Sequence, residues 1–177
     1  MAAFISYSWQ DDGPAQLAQL LAWAGEHPAM RAGGKAPMVW IDRCCIYRAN
    51  LDLSLACLPI HVAGCMKFLM LAGPTFSSRL WCALELLVFV RMGGHKDDIE
   101  MRLIVPIDDT EEEHAAARQS ILTSLSMFDA TKAECCLNKD RQQILAAIET
   151  SFGTTEPFSK LVRAIVDEKV RGQLIIG

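Results

Sequence analysis

The chain reads as an α/β domain built on a mainly parallel sheet of four to five strands. Three observations predict this. Short apolar runs alternate four or five times with stretches of helical spacing, the pattern of right-handed strand–helix–strand crossovers. Turn residues separate the runs: Gly33-Gly34, Gly64, Gly73-Pro74, Gly93-Gly94 and Gly153. The run over 66–72 is almost wholly apolar, as a central strand covered on both faces must be.

Each element has its own signal. Residues 3–6 form a short buried strand. The turn-rich stretch from Tyr7 to Pro14 then offers a helix start, with Asp12 as cap and Pro14 in the first turn. Apolar residues at 17, 20, 21 and 24 predict a helix over 15–26. A second strand over 37–42 ends on Asp42, and an irregular loop over 43–50 carries charges and thiols. Leu51, Leu55 and Leu58 predict a helix over 51–63, which Pro59 can kink. After the central strand, Ser77 or Ser78 is expected to cap a helix that runs to Gly93-Gly94. Residues 102–107 make a further strand, with Pro106 near its end. Thr110 and Glu113 form a capping box for a helix to about Leu122. A short edge strand is expected over 125–128. A helix from Asn138 or Lys139 to Phe152 follows, stopped by Gly153, and a last amphipathic helix covers 157–170. There is no internal repeat, low-complexity tract or linker. The expectation is one domain over 1–177, with its motifs in a core over 3–107 and helices over 110–171.

Bulk properties narrow the function. A chain of 177 residues with 51% hydrophobic and 21% charged residues can build a real core and is not a disordered chain. A net charge of −4, with scattered basic residues, argues against nucleic acid as a partner. The first residues lack a cationic leader, and no apolar run reaches the roughly 18 residues a membrane span needs. A cytoplasmic protein without a membrane partner is expected. Seven cysteines, an odd number with no C-x-x-C pair, read as reduced core thiols. His27, His61, His95 and His114 are dispersed without ligand spacing, so no metal is expected.

The stretch over 75–91 is where chemistry concentrates. From Leu80 to Val90 every residue is apolar except Glu85. A helix apolar all round is buried, and a buried carboxylate needs a partner, a raised pKa or a cavity. Helical spacing puts Trp81 and Ser78 on the face of Glu85. A hydroxyl, a flat ring and a carboxylate on one stripe suit a small-molecule site. The alternative is an ion pair of Glu85 with Arg79, Arg91 or Arg43. With strand order 2-1-3-4-5, ligands would sit at the switch point between the first and third strands. That point is lined by Ser6 to Trp9, by residues 72–78 and by the Glu85 helix. No Gly-x-Gly-x-x-Gly or Walker loop follows a strand, which disfavours Rossmann-type dinucleotide binding and phosphoryl transfer.

Phe4-Ile5-Ser6-Tyr7-Ser8, followed by Asp11 or Asp12, resembles the first box of Toll/interleukin receptor (TIR) domains. Ser78-Arg79-Leu80-Trp81-Cys82-Ala83-Leu84-Glu85-Leu86 is similar to their S-x-W-C-x-x-E-L segment, with one extra residue after the serine. Val39-Trp40-Ile41-Asp42-Arg43-Cys44-Cys45-Ile46 resembles the W-I-D-x-x-C-I motif of fungal heterokaryon-incompatibility (HET) domains. The arginine- and glycine-containing loop of receptor TIRs is not recognisable over 43–50, and Tyr47-Arg48 stand where the HET motif has a polar pair.

The resemblance implies a flavodoxin-like three-layer fold and one of two roles. Some TIR domains cleave the nicotinamide–ribose bond of NAD and require the glutamate that aligns with Glu85. Others signal by associating with themselves or with other TIR-like domains through the loop after the second strand. On the first reading NAD is substrate, not cofactor, and immune-type signalling is the expected setting. Nicotinamide leaves as a neutral base, so a single carboxylate can suffice by stabilising the oxocarbenium-like ribose. Tyr7, Trp9 and Trp81 are candidates to stack on a flat ring. Ser6, Ser8, Thr75 and Ser78 are candidates for hydroxyls or phosphates, and Arg43 for a diphosphate. A deoxyribosyltransferase-type enzyme is a third reading, weakened by the lack of a second carboxylate evidently in the same pocket.

Overall fold

The computed structural model describes residues 2–27, 33–45, 53 and 56–176. Four strands, β1 (Ala2–Tyr7), β2 (Met38–Ile41), β3 (Lys67–Ala72) and β4 (Ile99–Leu103), pair wholly in parallel in the order β2-β1-β3-β4. Among the described residues they are flanked by the helices α1 (Gly13–Glu26), α2 (Leu58–Ala63), α3 (Leu80–Arg91), α4 (Glu111–Ser126), α5 (Asn138–Phe152) and α6 (Thr155–Ile176), with a further single helical turn at Asp42–Cys45. This is a flavodoxin-like three-layer arrangement.

The two-residue period of the strands divides the core in two. Ala3, Ile5, Leu69 and Leu71 face α1 and pack with Ala15 and Trp23. Phe4, Phe68, Met70 and Ala72 face the other layer and pack with Leu80, Leu86 and Phe89 of α3. The register sets Phe4 between Trp40 and Phe68, with ring centroids 4.5 and 5.6 Å away. Each such fully buried side chain stabilises the fold by about 1.5–3 kcal/mol. The C-terminal helices complete this layer through Ile121, Leu125, Ile144, Ile148, Phe158, Val162 and Ile165.

Most expected boundaries hold within a few residues. Asp12 caps α1 by accepting from the Ala15 N–H at 2.8 Å. The Thr110–Glu113 capping box opens α4. Three expectations are corrected. No strand forms at 125–128: Leu125 lies in the last turn of α4 with its side chain buried, and among the described residues the sheet has four strands. β4 begins at Ile99, because the alternation of buried Ile99 and Met101 continues the sheet and stops short of Pro106. Neither Ser77 nor Ser78 caps α3. Those residues form a 3₁₀ turn with Phe76, and Arg79 takes the cap position without a side-chain bond. Backbone ties the start of α3 to the segment at Glu134 instead: the Leu80 N–H donates to the Glu134 carbonyl at 3.0 Å, and the Glu134 N–H to the Ser78 carbonyl at 2.7 Å. Most of the expected helix over 51–57, and residues 46–50 of the loop after β2, lie outside the described residues.

The thiols also depart from expectation. All seven cysteines are unpaired, but only Cys82 is buried. Cys44, Cys45 and Cys136 are exposed, because they fall on short connecting segments rather than on core faces.

Candidate functional site

Parallel order forces β1 and β3 to be neighbours while their connections diverge to opposite layers, and the switch point opens at their carboxyl ends. Ser6 is the next-to-last residue of β1. Strand alternation turns it to the same face as Phe4, toward α3. Its Oγ donates to Glu85 Oε2 at 2.6 Å. Ser6 is wholly buried and Glu85 is 9% exposed.

Among the described residues no cation pairs with Glu85. Arg79 donates to Cys136 Sγ, and Arg91 donates to the Ser151 carbonyl and lies over the Phe152 ring. Burial is the main force on the carboxyl and pushes it up from its ordinary 4.5 to about 8. The Ser6 hydrogen bond opposes that rise, and the charge of Asp42 adds to it. Glu85 is therefore mostly neutral at pH 7. The neighbouring Cys82 thiol is likewise held well above its ordinary value, first by burial and then by Glu85. It is not a thiolate nucleophile. Its Sγ is 3.5 Å from the Tyr7 carbonyl.

The turn after β1 is braced on both sides. Ser8 Oγ and Thr75 Oγ1 lie 2.6 Å apart. Asp11 Oδ1 accepts from the Thr75 N–H at 2.9 Å and from its hydroxyl at 2.8 Å. Gln16 of α1 donates to the Ser8 carbonyl at 2.8 Å. On the other side, the Trp9 indole N–H donates to Asp42 Oδ2 at 2.6 Å, joining the connections after β1 and β2. Asp11 Oδ2 is buried without a hydrogen-bond partner, which costs about 1–3 kcal/mol. Gly73 makes room for it: a Cβ there would sit 2.4 Å from that oxygen.

The expected site residues therefore separate into groups. Ser6 meets Glu85 directly, and Ser8, Trp9 and Thr75 form the braced turn beside it. Tyr7 points to the opposite face and packs with the α1 side of the core. Ser78 lies before α3 begins and donates to the Thr75 carbonyl at 2.7 Å, so the helical spacing that linked it to Glu85 does not apply. Trp81 packs against the main core. Arg43 lies in a single helical turn, Asp42–Cys45, and its side chain is outside the described residues.

Asp42, Asp11, Gln16 and Gly73 complete the arrangement. Asp42, expected as the last residue of the second strand, instead follows β2 as the first residue of that helical turn. The sequence assigns Asp12 the helix cap but gives Asp11 no role of its own, and nothing marks Gln16. A cavity of about 250 Å³, lined in part by Val62, Cys65, Met66, Phe89, Met92 and Asp98, opens at the amino ends of the strands, away from Glu85.

Compared with models of known protein families and with curated protein sequences, the chain matches none.

Proposed function

We propose that this domain cleaves the bond between nicotinamide and ribose in NAD, with Glu85 as the catalytic carboxylate. One observation carries the reading: an acid buried at the switch point of a parallel sheet, held by a serine and unpaired with any cation among the described residues. A carboxylate retained for a structural ion pair would have a cationic partner. Glu85 instead keeps its charge-stabilising capacity unspent. Four of the buried polar side chains, Ser6, Ser8, Gln16 and Glu85, gather at this one end of the core, and locally unfavourable choices concentrate at functional sites.

The chemistry follows from the charge balance. The substrate's nicotinamide ring is cationic and departs as a neutral base with the bonding electron pair. Positive charge moves to the ribose as the bond breaks. An ionised Glu85 stabilises that charge in a dry environment, where an electrostatic contact is worth far more than in water. Water then adds to the ribose carbon and loses a proton, giving ADP-ribose, nicotinamide and one proton. Attack by the substrate's own adenine nitrogen in place of water would give a cyclic product. Ser6 orients the Glu85 carboxyl, and Trp9, 44% exposed, is a candidate to stack on a flat ring.

A non-catalytic assembly module is the second reading. It is favoured by Leu17 and Leu21, one turn apart on α1 and 56% and 63% exposed. Nicotinamide release by the purified protein, compared with Glu85→Ala and Glu85→Gln, decides between them. Release by the wild type that both variants lose while folded supports the hydrolase. No release at any protein concentration, with self-association unchanged in the variants, leaves the assembly module.

A further inference from the structure

We propose that the cavity at the amino ends of the strands binds a small organic cation: a primary ammonium carried on an apolar body about one ring in size. The inference goes beyond the NAD-cleaving reading and does not rest on it, since the cavity lies away from Glu85. Its volume of about 250 Å³ falls below the ~300–1,000 Å³ of pockets for larger ligands, and so excludes a dinucleotide. An apolar cavity of about 150 Å³ takes benzene. The difference leaves room for a short arm with a polar head. The walls supply the apolar part. Val62 of α2 and Phe89 of α3 belong to the main core and also line the cavity. Met66 and Met92, both exposed, line it too, and thioethers adapt their shape and favour contact with a ring edge. Gly94 lets the chain after α3 close directly on the Phe89 ring, where a Cβ would sit 2.4 Å from a ring carbon.

The preference for positive charge comes from the backbone and from Asp98. α2 ends at Ala63 and α3 at Arg91, and Ala63, Met92 and Gly93 all line the cavity. Two helices therefore bring their carboxyl ends to it, and such an end carries partial negative charge. Asp98 lies on the same wall. Lys67 pairs with its Oδ1 at 3.0 Å. Among the described residues no side chain bonds its Oδ2, and a carboxylate accepts more than one hydrogen bond. Lys96, two residues away, is already paired with Glu168 at 3.2 Å. Helix ends and a carboxylate around an apolar hollow favour an ammonium over a neutral or anionic head on the same body.

The test is an NMR titration of the protein labelled at its methionine methyl groups, with the Met66 and Met92 signals assigned by their loss in Met66→Leu and Met92→Leu. Three probes share one ring and a one-carbon arm and differ in charge: benzylamine, benzyl alcohol and benzoate. Benzylamine should shift both signals saturably, with a dissociation constant of about 1 mM, as suits a ligand of so few atoms. Benzyl alcohol should bind about tenfold more weakly, and benzoate more weakly still. Asp98→Asn, which keeps the shape of the side chain, should bring benzylamine down to the level of benzyl alcohol. Ala63→Leu, at an exposed position on the last turn of α2, should fill the cavity and abolish the shifts. The proposal is overturned if benzylamine leaves both signals unmoved, if the three probes bind alike, if Asp98→Asn binds benzylamine as tightly as its parent, or if Ala63→Leu does. None of these outcomes depends on whether the protein releases nicotinamide.

Discussion

Replacing Glu85 by Gln separates burial from charge. The unfolded chain gives up the Glu85 proton near the ordinary 4.5, while the folded chain holds it until about 8. Between those values the folded state binds one proton more than the unfolded state, so stability falls as pH rises. This sign is opposite to that of a salt-bridged carboxylate, whose lowered pKa stabilises the fold above the unfolded value. At about 1.36 kcal/mol per pH unit, the interval from 4.5 to about 8 amounts to roughly 5 kcal/mol at most. That is a large share of the 5–15 kcal/mol or so that holds a domain of this size together. Glutamine keeps a carbonyl oxygen to accept the Ser6 hydroxyl and has no proton to lose. The variant should match the wild type near pH 4.5 and exceed it progressively, by up to several kcal/mol, as pH approaches 8. Urea unfolding followed by circular dichroism at several pH values between about 5 and 8 measures the gap. Parallel stability curves for the two proteins would refute the account of a carboxyl held neutral by burial. A variant less stable at every pH would show that the ionised group is a structural partner.

Two further outcomes follow from the same geometry. If the ionised form of Glu85 is the catalytic one, kcat/KM for NAD cleavage should rise with pH and level off above about 8, because that ratio reports the free enzyme's titration; a profile flat from about 6 to 9 would remove Glu85 from the chemistry. Gly73→Ala brings a methyl group to 2.4 Å from the Asp11 carboxylate. It should destabilise the fold by about 1–3 kcal/mol in thermal or urea unfolding, and an unchanged midpoint would mean that the Asp11 clamp moves aside freely.

The sequence made the layers legible and left the site half-read, for a physical reason. Strand and helix identity are written in local spacing, and the apolar run at 67–72 or the capping box at Thr110 needs no distant partner to be recognised. Glu85 was legible for the same reason, since one acid in an apolar helix contradicts its surroundings. What Glu85 meets was legible only as far as the expected strand order, which set Ser6 to Trp9 beside the Glu85 helix without naming the contact. Its partner Ser6 is 79 residues away, and only the parallel register of β1 against β3 brings the two connections together. Ser78 was tied to Glu85 by extending the helical period past its start, and Tyr7 was a candidate only by its place at the end of β1. The helix begins after Ser78, and alternation along β1 sends Tyr7 to the other face. The edge strand expected at 125–128 failed because a short apolar run does not distinguish a strand from the buried stripe of a helix end.

The distribution of unfavourable groups ties fold to function. Phe4, Phe68, Met70 and Phe89 make the middle of the sheet dry and closely packed. Glu85, Cys82, Ser6 and the partnerless oxygen of Asp11 all lie at its carboxyl end. Burying the Glu85 carboxyl and the unpartnered Asp11 oxygen costs stability that an apolar core would not lose. Their convergence on the one point where parallel topology opens a crevice argues that the sheet's stability offsets a cost incurred for chemistry there. It follows that stabilising substitutions at these positions should remove activity before they disturb the fold, as the trade-off between stability and function requires. Glu85→Gln is the sharpest case: the carboxyl becomes an amide, stability at neutral pH should rise, and, on the proposed function, nicotinamide release should be lost.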